Sequence, residues 1–500
     1  ADEFRFAAGG SLDGTVDGAG GIDELDVAGA AAVTVNLGSS SATVLNGGNT
    51  DGFSSIERFT GNGTTDVLVA TGGADIFVTT DVNDGTVAGV TYTDFANISG
   101  GAGEDVFNLQ HDVTGTVNGD AGDDVFNLTA LQTGLIDGGA DGANGDVING
   151  VATANLFIVS SENGGTANGT TFANVENLTG GAAADEFRFA DGATLGGTVS
   201  GGAGTDTLNL SAHTAANGAA LGTTLTSVDA TDGFGGTVTA NATIATFTGI
   251  DTLVGSADAG VTDTLTGQNA DSFVAVTGAG SGTYDDDDGV TDITAAELAF
   301  SDVEALQGGD QVDTFDIAAD FGGSIAGGAG NDVFDFNGGD ATTVSGDDDD
   351  DEFNLINTTQ VVAAAIDGGA GTNTVNGLAT AANTFTVNSA NNVTVLATGD
   401  TGTFTASNVQ NATGGSQADE FVFADGATLG GTVSGGAGTD TLNLSAHAST
   451  TDTALNTTLT GVDADNGFAG SVVTGGAVTV TGFTGIDALV GSADDGAGND

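Results

Sequence analysis

No cysteine, proline, methionine, tryptophan or lysine occurs in the 500 residues of this chain. The missing thiols exclude a disulfide framework, a thiolate zinc site and thiol redox chemistry. The missing lysine excludes a lysine Schiff base, a Walker lysine and a Lys–Asn isopeptide cross-link. Three arginines, Arg5, Arg58 and Arg188, face 69 acidic residues, for a formal charge of −66. Nucleic acids, anionic membranes and polyuronates need a basic surface that three cations do not supply, so no nucleic-acid partner is expected. No run approaches 18 consecutive apolar residues, so no membrane insertion is expected either.

What is abundant is glycine, 87 residues of it, together with Asp, Asn, Thr and Ala. A one-signed charge and so much glycine raise disorder as the first possibility. Phe, Leu, Val and Ile make up about 23% of the chain, just above the roughly 20% below which a chain cannot bury enough to fold. Their arrangement decides for order, because they recur at fixed positions in a turn-forming background that suits many short strands.

Self-similarity dominates the sequence. Residues 184–213 return almost verbatim as 418–447, and the first 21 residues are a diverged third copy. The reading is one continuous rod with a shortened repeat at 1–183, a full repeat at 184–417 and the start of another at 418–500. Both ends read as cut from a longer repetitive protein. Within the long repeat, GGAGEDVFNL at Gly100, GDAGDDVFNL at Gly119 and GGADGANGDVIN at Gly138 are spaced by 19 residues, a step that elsewhere stretches to 21 or 22.

Each unit carries two short strands. In the first, Phe107/Leu109 flank Asn108, Phe126/Leu128 flank Asn127, and Phe315/Ile317 flank Asp316, the alternation of a strand with one buried face. The second offers a single Val or Ile two residues before the next glycines: Val117, Ile136, Val199, Ile325, Ile366 and Val433. So small a unit cannot bury these side chains alone and must stack on copies of itself. The expected fold is all-β, a parallel β-solenoid (β-roll or β-helix-like) of rungs of about 19–22 residues. Inserts near residues 30–95, 150–180, 211–300 and 377–413 are read as irregular larger coils of the same solenoid. Several end in a shared phrase: TTFANVENLTGG, TDFANISGG, LAFSDVEALQGG and TASNVQNATGG.

A carboxylate recurs just before the buried strand: Asp105, Asp124, Asp185, Asp206, Asp313, Asp332, Asp351 and Asp440. Stacking at roughly 4.8 Å lines such carboxylates up along one edge, where they repel, and a divalent cation between turns would remove the penalty. Asp347 and Asp348, in the acidic run ending at Asp351 and Glu352, stand in register with the turn one rung earlier and are candidates for extra ligands. Here the sequence resembles the RTX, or haemolysin-type, calcium-binding nonapeptide G-G-x-G-x-D-x-U-x. Gly100–Asn108, Gly201–Asn209, Gly327–Asp335 and Gly435–Asn443 match every specified position; Gly119–Asn127 departs at Asp120, and Gly368–Asn376 replaces the aspartate with Asn373. The resemblance implies secretion, and Ca²⁺ held between rungs by the aspartates and by turn carbonyls around Gly101, Gly103, Gly202, Gly204, Gly328, Gly330, Gly436 and Gly438. RTX rolls use two nonapeptides per rung, whereas one good copy per rung occurs here, so calcium is expected along one edge at most. The wider layout is similar to very large bacterial surface proteins built of β-strand repeats. The competing reading makes the aspartates turn residues only, chosen for Asx hydrogen bonds and solubility.

Other constellations carry less. The run Asp285–Asp288 fails as an EF-hand, because the first and twelfth ligand positions fall on Tyr284 and Ala295. His111, His213 and His447 suit surface or turn roles, and Arg5 and Arg188, at one repeat position, are expected to pair with neighbouring acids. Gly278–Gly282 has no lysine and no following helix, so it is not a phosphate loop. With near-identical repeats where an enzyme needs one unique site, no enzymatic activity is expected.

The expected function is that of an extracellular structural protein, a calcium-stabilised segment of a surface fibre, surface layer or biofilm matrix. Its partners would be further copies of itself, in a fibre or sheet, and a cell-surface or extracellular polysaccharide. The alternative is an adhesin module that binds a glycan or surface through the inserts, and a halophile's acidic surface would explain the charge without calcium.

Overall fold

The computed structural model describes residues 1–45, 52–229, 233–286, 298–357, 365–399, 402–447, 455–463, 467–474 and 477–492. Asp287, Asp288 and Ala295, in the acidic run and loop weighed above, lie outside them. Every regular element among the described residues is a strand, and none is a helix long and apolar enough to cross a membrane. The chain divides into two compact units, Ala1–Ala219 with Ser227–Val261, and Ala220–Thr226 with Thr262–Asp500.

In both units the 19-residue step becomes a parallel rung. In the first, Val106–Leu109 lies beside Val125–Leu128 in the register Phe107↔Phe126 and Leu109↔Leu128. The next strand along the chain, Thr116–Gly122, pairs with Leu135–Asp141 in a second sheet, matching Val117 to Ile136. In the second unit, Val333–Phe336 pairs with Asp313–Ile317 on one side and Glu352–Leu355 on the other. The fold is thus the all-β, mostly parallel solenoid that the alternation predicts.

The core is a ladder of like on like. Phe77, Phe107 and Phe126 stack with centroids 4.7 and 5.0 Å apart, and Phe315, Phe334 and Phe353 at 5.2 and 5.0 Å. All six rings are fully buried, a gain of roughly 1.5–3 kcal/mol each over exposure. The outward residue between the buried pair also repeats: Asn127 Nδ2 donates to Asn108 Oδ1 at 3.0 Å, and Asn149 Nδ2 to Asn127 Oδ1 at 2.8 Å. The second strand's lone apolar residues, Val117, Ile136, Val199, Ile325, Ile366 and Val433, are all buried.

The inserts take a specific form, a three-stranded antiparallel meander. In the first unit one comprises Ile76–Asp81, Asp84–Val87 and Val90–Thr93, and another Leu156–Ser161, Gly164–Ala167 and Thr170–Ala173. The second unit has Ser272–Gly278, Ser281–Asp285 and Leu298–Ser301, and Asn383–Ser389, Asn392–Ala397 and Phe404–Ser407. The outer strands of a meander remain in the parallel stack. Thr170–Ala173 pairs back with Leu135–Asp141, and Leu156–Ser161 pairs forward with Glu186–Phe189. At the tip, Asn168 and Gly169 have φ of 52° and 92°, the left-handed pair of a type I′ hairpin turn.

Candidate carboxylate ladders

The predicted aspartates all stand at the last turn residue or first strand residue of a rung, and all eight are buried: Asp105, Asp124, Asp185, Asp206, Asp313, Asp332, Asp351 and Asp440. They turn inward. In each, Oδ1 accepts from a residue at the same place one rung back, a backbone N–H except at Asp313, where the donor is the Ser272 hydroxyl. In the first unit, Asp75 N–H donates to Asp105 Oδ1 at 2.7 Å, Asp105 to Asp124 at 2.7 Å, and Asp124 to Asp146 at 2.7 Å. Asp146 N–H then donates to Glu176 Oε2 at 3.0 Å, and the ladder ends. A second ladder runs from Asn155 through Asp185 and Asp206 to Asp251. In the second unit one ladder joins Asp313, Asp332, Asp351, Asn373 and Gln410, and another joins Asn383, Asp419, Asp440 and Asp487.

The terminal acceptors explain the recurring phrase after each insert. In FANVEN, Asn174 adopts a φ of 51°, Val175 is buried, and Glu176 caps the ladder. Asn408, Val409 and Gln410 repeat the arrangement. Gln410 serves as well as Glu176, so what the position requires is an acceptor for one backbone N–H. The shorter TDFANIS puts Ala96 at that place, its carbonyl accepting from Gly115 N as Glu176's does from Gly197 N, and Asp66 N–H turns to the Asn62 side chain.

The second carboxylate oxygen divides the turns into two classes. In four five-step turns the residue four before the aspartate lacks a left-handed φ and its N–H reaches Oδ2: Asn62 to Asp66 at 2.9 Å, Thr71 to Asp75 at 2.7 Å, Gly309 to Asp313 and Gly415 to Asp419 at 2.6 Å. Where that residue is left-handed, the N–H does not reach the carboxylate. Gly101 (φ 99°), Asp120 (72°), Gly181 (153°), Gly328 (109°), Asp347 (71°) and Gly436 (84°) precede Asp105, Asp124, Asp185, Asp332, Asp351 and Asp440, whose Oδ2 atoms are buried without a hydrogen-bond partner. The turn then continues pairing with its neighbour, as in Gly101↔Asp120 and Gly328↔Asp347. Gly101, Gly328 and Gly436, the second glycines of fully matching motifs, thus supply a conformation that orphans the carboxylate oxygen.

Glycine is required for space as well. Gly103, Gly204, Gly330 and Gly438, at the fourth motif position, and Gly202, at the second, all have left-handed φ. A Cβ on Gly330 would overlap the Gln311 carbonyl oxygen one rung back. A Cβ on Gly100 or Gly327, at the first position, would overlap Oδ2 of the rung's own Asp105 or Asp332. Of the acidic run, Asp347 takes the place of Gly328 and is half-buried, Asp348 is exposed, and neither joins the ladder.

Burial is the largest cause of a raised carboxyl pKa along the ladders, with neighbouring carboxylates adding to it. Asp124, Asp313 and Asp440 are pushed up to about 6, Asp146 and Asp351 to about 7, and Asp332 to about 8. Asp105 and Asp185 are raised for the same first reason.

The turns do not keep to one edge of the stack. In the first unit the Asp105 turn leads from the sheet of Asn97–Ala102 into that of Val106–Leu109, whereas the Asp185 turn leads from the latter sheet, through Asn177–Gly181, into the former, through Glu186–Phe189. The exchange happens at the meander. The rung entering it carries ladder residues on both edges, Asp146 and Asn155, nine residues apart. Asp66 and Asp75 repeat this spacing, so a tandem pair of nine-residue turns, Gly61–Val69 and Ala70–Val78, escaped the motif reading. Asp23, Asp146, Glu176 and Asp419 were likewise not singled out. Arg5 pairs with Glu3 and Asp26, and Arg188 with Glu186, as expected. His213 is a buried turn residue, Nε2 lying 3.0 Å from the Gly218 carbonyl.

Neither a protein-family model nor a curated protein matches this chain.

Proposed function

We propose that this chain is a structural segment of an extracellular surface fibre, surface layer or biofilm matrix, a β-solenoid whose rungs Ca²⁺ locks together. One observation carries the reading: in the turns Gly100–Asp105, Gly327–Asp332 and Gly435–Asp440, which match G-G-x-G-x-D in full, the aspartate keeps a buried Oδ2 with no donor, whereas in Gly308–Asp313 and Gly414–Asp419, which lack the third glycine, a backbone N–H reaches it. A buried carboxylate oxygen without a partner is costly, and a ladder of them repels itself. The donor set is all hard oxygen, which suits Ca²⁺. Asp105, Asp124, Asp185, Asp332, Asp351 and Asp440 would hold it, with backbone carbonyls of the adjoining turns. When bound, the ion supplies positive charge that offsets the repulsion between rungs.

The mechanism is a folding switch. Without the cation the ladder carboxylates oppose stacking and leave the fold less stable, which favours export; outside the cell, millimolar-range calcium favours the stacked state by mass action. The near absence of Lys and Arg, three residues in 500, removes trypsin-type cleavage sites, which suits a persistent coat. Further copies of the chain are its natural partners, in a fibre or sheet. Titration of the chelator-treated chain with Ca²⁺ under far-UV circular dichroism, against Mg²⁺ and molar NaCl, tests the proposal. A gain of β signal with Ca²⁺ alone is expected. A signal equally restored by NaCl reduces the aspartates to turn formers on a screened acidic surface.

A further inference from the structure

One rung departs from the others in a way that the repeated turn does not explain. From Gly100 to Asp105 and from Gly119 to Asp124 the turn takes five steps, but from Gly138 to Asp146 it takes eight. The turn also gains a new acid just before the three extra residues. Asp141 ends the strand Leu135–Asp141 in register with Gly122, at a place glycine fills in the preceding rung. The residues that follow are pinned, because Asp123 Oδ1 accepts from Asn144 N at 3.1 Å and from Gly145 N at 2.9 Å.

Asp141, Asp146 and Glu176 each bring a carboxylate oxygen to within 4.8 Å of the other two. Among the described residues this is the one group of three acids so placed. Asp146 is fully buried, its Oδ1 accepts from Asp124 N–H, and its Oδ2 has no hydrogen-bond partner. Glu176 Oε2 accepts from Asp146 N–H at 3.0 Å and Oε1 from Asn163 Nδ2 at 2.7 Å, which fixes the carboxylate in place. The Asp141 carboxyl lies in hydrogen-bond reach of Glu176, and Asp141 itself is exposed, which leaves a way in from solvent. Burial and then the adjacent Asp141 push Glu176 up to about 7.

We propose that Asp141, Asp146 and Glu176 form a discrete site for one hard divalent cation of the calcium class, separate from the repeated glycine turns. Three carboxylates converging at a half-buried point need positive charge, and their oxygen-only donors select a hard ion. The second unit contains an uncharged counterpart. There Asn373 stands at the ladder position of Asp146, Gln410 at that of Glu176, and the turn Gly368–Asn373 contains no acid. Where the two ladder acids are replaced by amides, the third acid is absent too. The site does not depend on calcium in the repeated turns.

Isothermal titration calorimetry of the chelator-stripped full chain with CaCl₂ at about pH 8, above the raised pKa of Glu176, tests the proposal. Wild type is compared with Asp141→Asn and with Asp141→Asn/Glu176→Gln. The variants should bind one calcium fewer, or bind one at least about 10-fold more weakly, with the rest of the isotherm and the far-UV spectrum unchanged. If the repeated turns take no calcium, wild type binds one equivalent and the double variant none, so the two proposals fail separately. Equal stoichiometry and affinity in all three proteins overturns the site and leaves Asp141 and Glu176 as a carboxyl pair sharing a proton. Gln at 176 keeps the acceptor for Asp146 N–H, as Gln410 does for Asn373. Should the double variant unfold, the exposed Asp141→Asn change alone gives the same readout.

Discussion

The backbone N–H of Asp332 donates to Oδ1 of Asp351 at 3.0 Å, while Oδ2 of each aspartate is buried with no donor. One carboxylate oxygen thus staples two rungs and the other is a cost. This division of labour runs through both units, and it makes the ladders at once a structural device and a reservoir of uncompensated charge.

Asp332→Asn should separate the two roles. Asn373 already occupies the same ladder, accepting Asp351 N–H at 2.8 Å through Oδ1 and donating from Nδ2 to the Asn408 carbonyl at 3.0 Å. An amide at 332 keeps the staple and gives the orphaned position a donor. In chelator at about pH 8 the variant should be more stable than wild type by about 1 kcal/mol, and its response to Ca²⁺ should shrink. Thermal melts with and without calcium check both.

Stability in chelator should depend on pH with a definite sign. The carboxyls of Asp124, Asp313 and Asp440 are raised from 3.8 to about 6 in the fold, those of Asp146 and Asp351 to about 7, and that of Asp332 to about 8. Folding therefore binds protons, and the associated stability is complete below the unfolded value and lost as pH rises through about 6 to 8. Tm in chelator should fall between pH 4 and about 8.5. A double Asp332→Asn/Asp351→Asn variant should show a shallower fall than wild type, which distinguishes the ladder from general surface repulsion.

Gly330→Ala should destabilise the second unit by more than about 2 kcal/mol. Its φ is 117°, and the added methyl would meet the Gln311 carbonyl. Chemical denaturation measures the loss, and Ca²⁺ should not restore it fully, because the clash is with backbone.

Phe334→Ala removes a ring stacked between Phe315 and Phe353. A loss of about 3–5 kcal/mol is expected, read as a lower denaturation midpoint.

Rung structure was legible because alternation around Asn108 and Asn127 has only one buried face to offer, and the 19-residue step puts Phe107 on Phe126. The meanders were not. Apolar residues alternate with the same period in parallel and antiparallel strands, so residues 156–173 read as a larger coil, although Asn168-Gly169 is a hairpin signal. The positions of the ladder aspartates were legible from the glycine turns, but their direction was not. An aspartate beside three glycines suits an exposed turn, and only the register of stacked rungs shows that Oδ1 meets a backbone N–H one rung away. Glu176 and Gln410 were hidden in a phrase whose shared property is an acceptor oxygen on a side chain of one length, a likeness that charge does not reveal.

The most direct measurement is the calcium-induced shift in Tm of the full chain at pH 5 and at about pH 8. Protons and Ca²⁺ compete for the same buried oxygens, so the shift should be small at pH 5, where Asp332 and Asp351 are protonated, and large at pH 8. A shift that is equal at the two pH values, or absent at both, contradicts a role for the ladder carboxylates in binding calcium.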